Sequence, residues 1–271
     1  MKKVRRPDDK REAVELLVQE NLSVRQACKL VSLPRSAMTY KKVCRDDSSL
    51  IKALNELVEK HPSIGFWKCY YRLRRKGLFC NHKRLYRVYT MLKLNIRRRP
   101  KRRIPHRVKE PLLIPQGMNK TWSMDFMSDS LVDGRRFRLL NVMDDYNRES
   151  LATEVDTSLP TLRVIRVLER LIEHRGTPES IRMDNGPEFI SEKLKVWCEE
   201  RCIRLLFIQP GKPVQNAFIK RKNGSMRKEL LDAYLFFTLD EVRMLAEQWR
   251  MDYNHERPHA ALGFVPPAEY I

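Results

Sequence analysis

Two aspartates stand where a carboxylate needs a reason to be. Asp125 lies inside Thr121-Trp122-Ser123-Met124-Asp125-Phe126-Met127, a run that is otherwise apolar or small. A carboxylate buried there is unfavourable unless it is paired or binds a metal. Asp184 stands in Met183-Asp184-Asn185-Gly186-Pro187-Glu188-Phe189, where the Asn-Gly pair lets the chain leave a strand sharply. Two carboxylates at neighbouring strand centres or ends can hold divalent cations. Mg²⁺ suits them, because it takes a few carboxylates together with waters and substrate oxygens. Two such ions, about 3.5–4 Å apart, activate a nucleophile and stabilise the leaving oxygen of a phosphodiester. On spacing alone, a plain turn residue is the stronger reading of Asp184.

The surrounding pattern supplies elements that could position both acids. Residues 121–127 alternate like a strand, and Val132-Asp133-Gly134-Arg135 has the Asp-Gly signature of a hairpin turn. Arg136 to Met143 and Ser150 to Val155 complete a three-strand meander. Leu162 to His174 reads as a helix with Val164, Val167, Leu168, Leu171 and Ile172 on its apolar face, stopped by Gly176. Ser180 to Met183 is a short strand, Glu188 to Arg201 a helix, and Leu205 to Ile208 a last buried strand. Antiparallel strands followed by alternating helices and strands predict a mixed sheet covered by helices.

The N-terminal part has a different character. Residues 1–120 hold 32 Lys and Arg against 10 Asp and Glu, a net of +22, whereas residues 121–271 hold 22 against 24. The whole excess of the +20 chain therefore sits at one end, an electrostatic footprint for a polyanion. A membrane-surface helix would concentrate that charge in one amphipathic segment, but here it spans several short elements. Leu22 to Tyr40 has helix-turn-helix grammar, with Ser23 placed to cap a helix and Leu33-Pro34 at the turn, although an ordinary helical hairpin fits this stretch equally well. A second helical unit runs from about Leu50 to Leu94. In it Leu85, Val88 and Leu92 form a core stripe, and Lys83, Arg84 and Arg87 fall on the opposite side, where they can meet phosphate. The run Arg97-Arg98-Arg99-Pro100-Lys101-Arg102-Arg103 joins the two halves without an acid and reads as a linker that hugs DNA.

Other classes are disfavoured. No apolar run approaches the roughly 20 residues that span a bilayer, and no apolar stretch follows Met1 to Asp9, so neither membrane insertion nor secretion is expected. The chain is expected in the cytoplasm, with the nucleoid. Six cysteines without a secretory signal do not read as a disulfide framework. A zinc site from His61, Cys69, Cys80 and His82 is conceivable, but the missing tight Cys pair argues against it.

Several blocks, taken together, resemble one family. Trp122-Ser123-Met124-Asp125, Asp144-Asp145-Tyr146-Asn147-Arg148, Asp184 to Phe189, Gln209-Pro210-Gly211-Lys212-Pro213-Val214-Gln215-Asn216-Ala217, Asn223-Gly224 and Tyr253 to Gly263 are similar to the catalytic core of OrfB-type insertion-sequence transposases. The blocks fall in family order over about residues 20–271. The resemblance implies a ribonuclease-H-like α/β fold with a mixed five-stranded sheet and flanking helices, preceded by a small all-α helix-turn-helix region. It also implies Mg²⁺-dependent (or Mn²⁺-dependent) DNA cleavage and strand transfer, with two ions in an intact site and Asp125 and Asp184 as metal ligands. The partners implied are double-stranded DNA at element ends and target, an OrfA partner or fusion, and further copies on DNA. The expected division is 1–48 helix-turn-helix-like segment, 49–95 second helical DNA-binding unit, 96–118 basic linker, 119–235 catalytic core and 236–271 its C-terminal helix and tail.

One position departs from the family pattern. The family places a glutamate on a helix, with 35 residues between it and the second aspartate, in a Tyr-Ile-Glu-Arg-Phe-Asn-Gly pattern. Here the corresponding text is Phe218-Ile219-Lys220-Arg221-Lys222-Asn223-Gly224, so Lys220 stands in that place. An ammonium has no lone pair for a metal, and at about 6 Å with an effective dielectric near 20 each unit-charge pair is worth roughly 3 kcal/mol. Glu229 is nine residues on, about 13 Å along a helix, too far to substitute. Glu188 is an acid the family has alongside its usual glutamate. Asn216, Asn223 and Arg227 share the helical neighbourhood of Lys220 and are candidates to line a DNA groove. Three activities remain open: a transposase impaired at Lys220, a DNA-binding protein without catalysis, and a host ribonuclease-H-like nuclease, which the helix-turn-helix and the Tyr253–Gly263 block disfavour.

Overall fold

A computed structural model describes residues 6–40, 46–96, 114–209 and 213–270. The chain forms two compact units, Met1–Ser48 and Ser49–Ile271. In the first, α1 (Pro7–Gln19), α2 (Val24–Leu30) and α3 (Arg35–Thr39) close around Val14, Ala27, Cys28 and Leu33. Ser23 begins α2 with a capping box: its hydroxyl accepts from the Gln26 amide while the Gln26 side chain accepts from Ser23.

The second unit opens with three helices, α4 (Ser48–Lys60), α5 (Phe66–Arg75) and α6 (His82–Met91). Leu50, Leu54, Leu57, Leu73, Leu85, Val88 and Tyr89 form their common core, with Leu92 partly buried beside them. Five strands follow: β1 (Thr121–Ser130), β2 (Arg136–Asp144), β3 (Ser150–Asp156), β4 (Ser180–Met183) and β5 (Arg204–Phe207). Helix α7 (Thr161–Arg175) connects β3 to β4; α8 (Pro187–Ile190) and α9 (Glu192–Glu200) connect β4 to β5. The sheet order is β3-β2-β1-β4-β5, with β1, β2 and β3 antiparallel and β1, β4 and β5 parallel. This is the mixed five-stranded, ribonuclease-H-like arrangement expected. Gly134, at φ 86°, makes the hairpin turn between β1 and β2.

Alternation along the strands divides the side chains between two cores. Trp122, Met124, Leu140, Val142, Ile181 and Met183 enter a core with residues of α7, α8 and α9. Phe137, Leu139 and Val155 enter another, completed by α10 (Ala217–Met226), a π-helical turn (Arg227–Leu231) and α11 (Leu239–His255) through Met226, Leu230, Val242, Ala246, Trp249 and Tyr253. The 49–95 helices are tied to the C-terminal segment. Arg72 grips Asp252 with two hydrogen bonds of 2.9 and 2.5 Å, Arg75 pairs with Glu269, and Tyr71 stacks on Phe264 at 4.1 Å.

Two local expectations need correction. The helix expected over 188–201 is broken at Ser191, whose extended backbone (φ −54°, ψ 133°) ends α8 and starts α9. The strand expected to be buried near 205–208 is instead the sheet edge, covered on one side only, which leaves Leu206 and Phe207 each 37% exposed.

Candidate active site

The parallel pairing of β1 with β4 sets Thr121 against Ser180, Trp122 against Ile181 and Ser123 against Arg182. Continuing that register by two residues brings Asp184, just past the end of β4, opposite Asp125 on β1. Neighbouring strands lie about 4.8 Å apart, and residues two apart share a face. Asp125 and Asp184 therefore belong to the polar set Ser123, Asp125, Arg182 and Asp184, while Trp122, Met124, Ile181 and Met183 fill the opposite core. Residues 59 apart in sequence are brought together by register alone.

The electrostatics agree with that placement. Burial and then the neighbouring charge of Asp184 push the Asp125 carboxyl up to about 6, against the opposing influence of Lys220 and of a hydrogen bond from Asn223. Asp184 is half-buried, and its Oδ1 accepts the Gly186 amide at 3.1 Å, the tight turn that the Asn-Gly pair permits. A β-carbon at Gly186 would lie 3.1 Å from that same oxygen, so glycine keeps the carboxylate unobstructed.

Helix α10 lies across this face. Asn216, fully buried at its start, donates to the Met124 carbonyl at 3.2 Å, which fixes the helix to β1 beside Asp125. Arg148 stacks on Phe218, its guanidinium carbon 3.2 Å from the ring centre, and anchors the same turn. Lys220 projects from α10 as an exposed side chain within electrostatic reach of Asp125. Its ammonium makes no ion pair within 4 Å with Asp125 or Asp184. Among the described residues, no group of three or more His, Cys, Asp or Glu is arranged to hold a metal ion.

Glu188 is already engaged. It pairs with Arg138, whose guanidinium holds its carboxyl below the usual range and lies 4.2 Å above the Phe126 ring. Glu229 is gripped by Arg257 and accepts from the Trp249 indole. Neither acid is spare.

Other candidate residues have mixed placements. Lys83, Arg84 and Arg87 lie on α6, away from its buried Leu85, Val88 and Tyr89. Arg97, Arg98, Arg99, Lys101, Arg102 and Arg103 lie outside the described residues. The groove-lining role expected of Asn216 and Asn223 is corrected by their burial, 0% and 7% exposed, because the amide of each bonds to protein groups. Arg227 binds Asp129 at 2.7 Å and the Ser128 carbonyl at 2.7 Å.

Three further polar residues lie at or beside the site, none of them given a site role from the sequence. Asn141, opposite Asp125 on β2, is fully buried, and Lys222 is 1% exposed. Asp145 is fully buried, and burial pushes its carboxyl to about 6 despite a 2.5 Å bond from the Ser123 hydroxyl and the Arg182 guanidinium beside it. The signal for Asn141 was present, a polar residue inside Leu139-Leu140-Asn141-Val142-Met143.

The chain matches integrase core domain models over residues 115–213 and 201–267. It is 40% identical over 251 residues to an insertion element IS407 protein of 31.7 kDa from Burkholderia multivorans, covering 92% of this chain and 91% of that one. It is 37% identical over 266 residues to an insertion element IS476 protein of 39.2 kDa from Xanthomonas euvesicatoria, covering 97% and 77%. Transposase InsD for insertion element IS2 of Escherichia coli is 23% identical, covering 83% and 79%. Among solved structures, the HTLV-2 integrase catalytic core domain in complex with magnesium covers 56% of this chain and 95% of that one, at 18% identity and a TM-score of 0.45.

Proposed function

The chain belongs to the integrase-core transposases of bacterial insertion elements, and we propose that it engages element ends on DNA while its own phosphodiester chemistry is impaired at position 220. Asp125 and Asp184 are the residues that would meet a Mg²⁺ or Mn²⁺ ion. Lys220 stands where the family pattern has its third acid. The observation that carries this reading is the helix α10, which brings an ammonium to Asp125 rather than a carboxylate.

The donor set does not fit a two-ion centre. Such a centre needs carboxylates on both sides of the reacting phosphate. Two carboxylates remain here, and the third place holds a cation with no lone pair to offer. Glu188 and Glu229 are committed to arginines. Metal binding is therefore expected to be weak, and strand transfer little or none.

DNA engagement is a separate matter. Lys83, Arg84 and Arg87 and the basic run from Arg97 to Arg103 are proposed as phosphate contacts, with element ends and target DNA as the ligand. An OrfA partner or fusion and further copies of the chain would complete the assembly. No helix among the described residues is long and apolar enough to cross a membrane. Binding of the full chain to duplex DNA is expected to weaken steeply with salt, as counterion release demands.

The deciding experiment is a paired assay on cognate ends, with an OrfA partner fused. The chain as given is expected to bind ends and to nick or join them little. Lys220→Glu is expected to raise Mg²⁺-dependent nicking and strand transfer. Robust, equal activity in both proteins would refute impairment at position 220. Salt-insensitive or absent DNA binding by both would refute engagement of ends.

A further inference from the structure

Helix α6 presents more surface than its core needs. Leu85, Val88 and Tyr89 lie inward, and Asn81 starts the helix by accepting the Lys83 amide at 2.9 Å. His82, Lys83, Tyr86, Arg87, Thr90 and Met91 are all exposed. They form two adjacent rows at i, i+4 spacing. One row is His82, Tyr86 and Thr90, side chains with hydrogen-bonding groups and no fixed charge. The row beside it is Lys83, Arg87 and Met91.

Rings hold the neutral row in place. Tyr86 is 51% exposed and sets its ring edge-on to Phe66 at 5.0 Å. The His82 ring lies 5.9 Å from that of Trp67 and 6.4 Å from that of Tyr70. Side chains already held in this way lose little freedom when they meet a partner.

Charge gives the class of that partner. Residues 60–96 hold 10 Lys and Arg and no Asp or Glu, so α6 stands in a stretch that attracts a polyanion. Shape narrows the class to duplex DNA. A helix with its side chains is about 10–12 Å across, and the major groove is about 12 Å wide. The ten residues of α6 span about 15 Å, or about four base pairs. Cations on phosphate hold a protein to DNA whatever the sequence, whereas hydrogen bonds and apolar contacts to base edges discriminate. The two rows divide along that line.

We propose that α6 enters the major groove of duplex DNA, where His82, Tyr86 and Thr90 read base edges and Lys83 holds a flanking phosphate. This rests on the proposed engagement of DNA and adds to it the residues that choose the sequence.

The test uses the full chain and duplexes of randomised sequence. Selection with the chain as given is expected to enrich a preferred sequence. Affinities for that duplex and for a scrambled copy are then measured by fluorescence anisotropy over a salt series. In the double variant His82→Ala/Tyr86→Phe, the ratio of the two affinities is expected to fall about tenfold or more, with the salt slope unchanged. Tyr86→Phe keeps the ring on Phe66, and a thermal melt reports that the variant is folded. In Lys83→Gln, both affinities are expected to fall together and the salt slope to shrink by about 1. An undiminished ratio in the double variant would overturn the proposal. Salt-steep binding by the chain as given with no preferred sequence would overturn it too, while leaving the engagement of DNA intact. Failure to bind any duplex would refute that engagement and this inference with it.

Discussion

The strands and the helix that meet at Asp125 have opposite chemistry. β1 and the end of β4 supply two carboxylates, while α10 supplies two lysines, one exposed and one buried. Both regions are held firmly. The acids owe their placement to strand register, which the backbone hydrogen bonds enforce whatever side chain is carried. The helix owes its placement to Ile219 and Met226 in the core, Asn216 on the Met124 carbonyl and Arg148 over Phe218. None of those anchors involves position 220. Architecture and site chemistry are thus separable here: the fold's anchors do not depend on the side chain carried at position 220.

That contrast can be sharpened by stability. The strand side should give the larger effect. The Asp125 carboxyl is raised from 3.8 to about 6, chiefly by burial and by Asp184. An acid raised on folding favours the native state below its unfolded value, and that contribution is lost as pH rises through the folded value. Asp125 therefore destabilises the chain above about pH 6. Two units correspond to about 3 kcal/mol. Asp125→Asn is expected to stabilise the chain at pH 7.5 and to make little difference at pH 4, read by denaturant unfolding. A gain of equal size at both pH values would show that the carboxylate charge is not what makes the site costly.

On the helix side, Lys222 has the inverse sign. Its depressed value means that the unfolded chain binds the extra proton between the folded value and 10.5, so stability rises with pH across that window. Lys222→Met is expected to raise Tm at pH 7, by roughly 2–4 °C for each kcal/mol recovered, and to raise it less at pH 10. A Tm gain that does not shrink at alkaline pH would contradict a buried nitrogen as the source.

The smallest effect on stability is expected at the most consequential position. Lys220 is exposed and forms no ion pair with the nearby acids, so the neutral Lys220→Gln should change unfolding free energy by within about 0.5 kcal/mol. A loss several times larger would mean that the lysine holds the helix against the sheet, and the separation of fold from chemistry would fail.

Much of the sheet was legible because strands advertise themselves by alternation. Thr121 to Met127, the Asp133-Gly134 turn and the Val164 to Ile172 stripe each gave the element later found. Asp125 was legible as a polar residue in an apolar strand, and Asn141 carried the same signal unread. Less legible was the break at Ser191, because a serine between two helical turns reads as helix interior until its extended backbone is seen. The exposure of β5 depends on which strands lie beside it, information that no local window holds. Lys222 is the instructive case. Ile219, Lys222, Asn223 and Met226 have the spacing of one helix face, and the structure buries all four. Residue type argued the other way, since lysine is rarely buried without a partner.

The central claim is that a cation occupies the place of a third metal-facing acid. Mg²⁺ titration of the full chain tests it most directly, comparing the chain as given, Lys220→Glu, and Asp125→Asn as the reference for a disabled site. One unit-charge pair of roughly 3 kcal/mol corresponds to about 100-fold in affinity. The chain as given is expected to bind Mg²⁺ no better than Asp125→Asn, and Lys220→Glu to bind it about 100-fold more tightly. Tight Mg²⁺ binding by the chain as given, equal to that of Lys220→Glu and lost in Asp125→Asn, would contradict the claim.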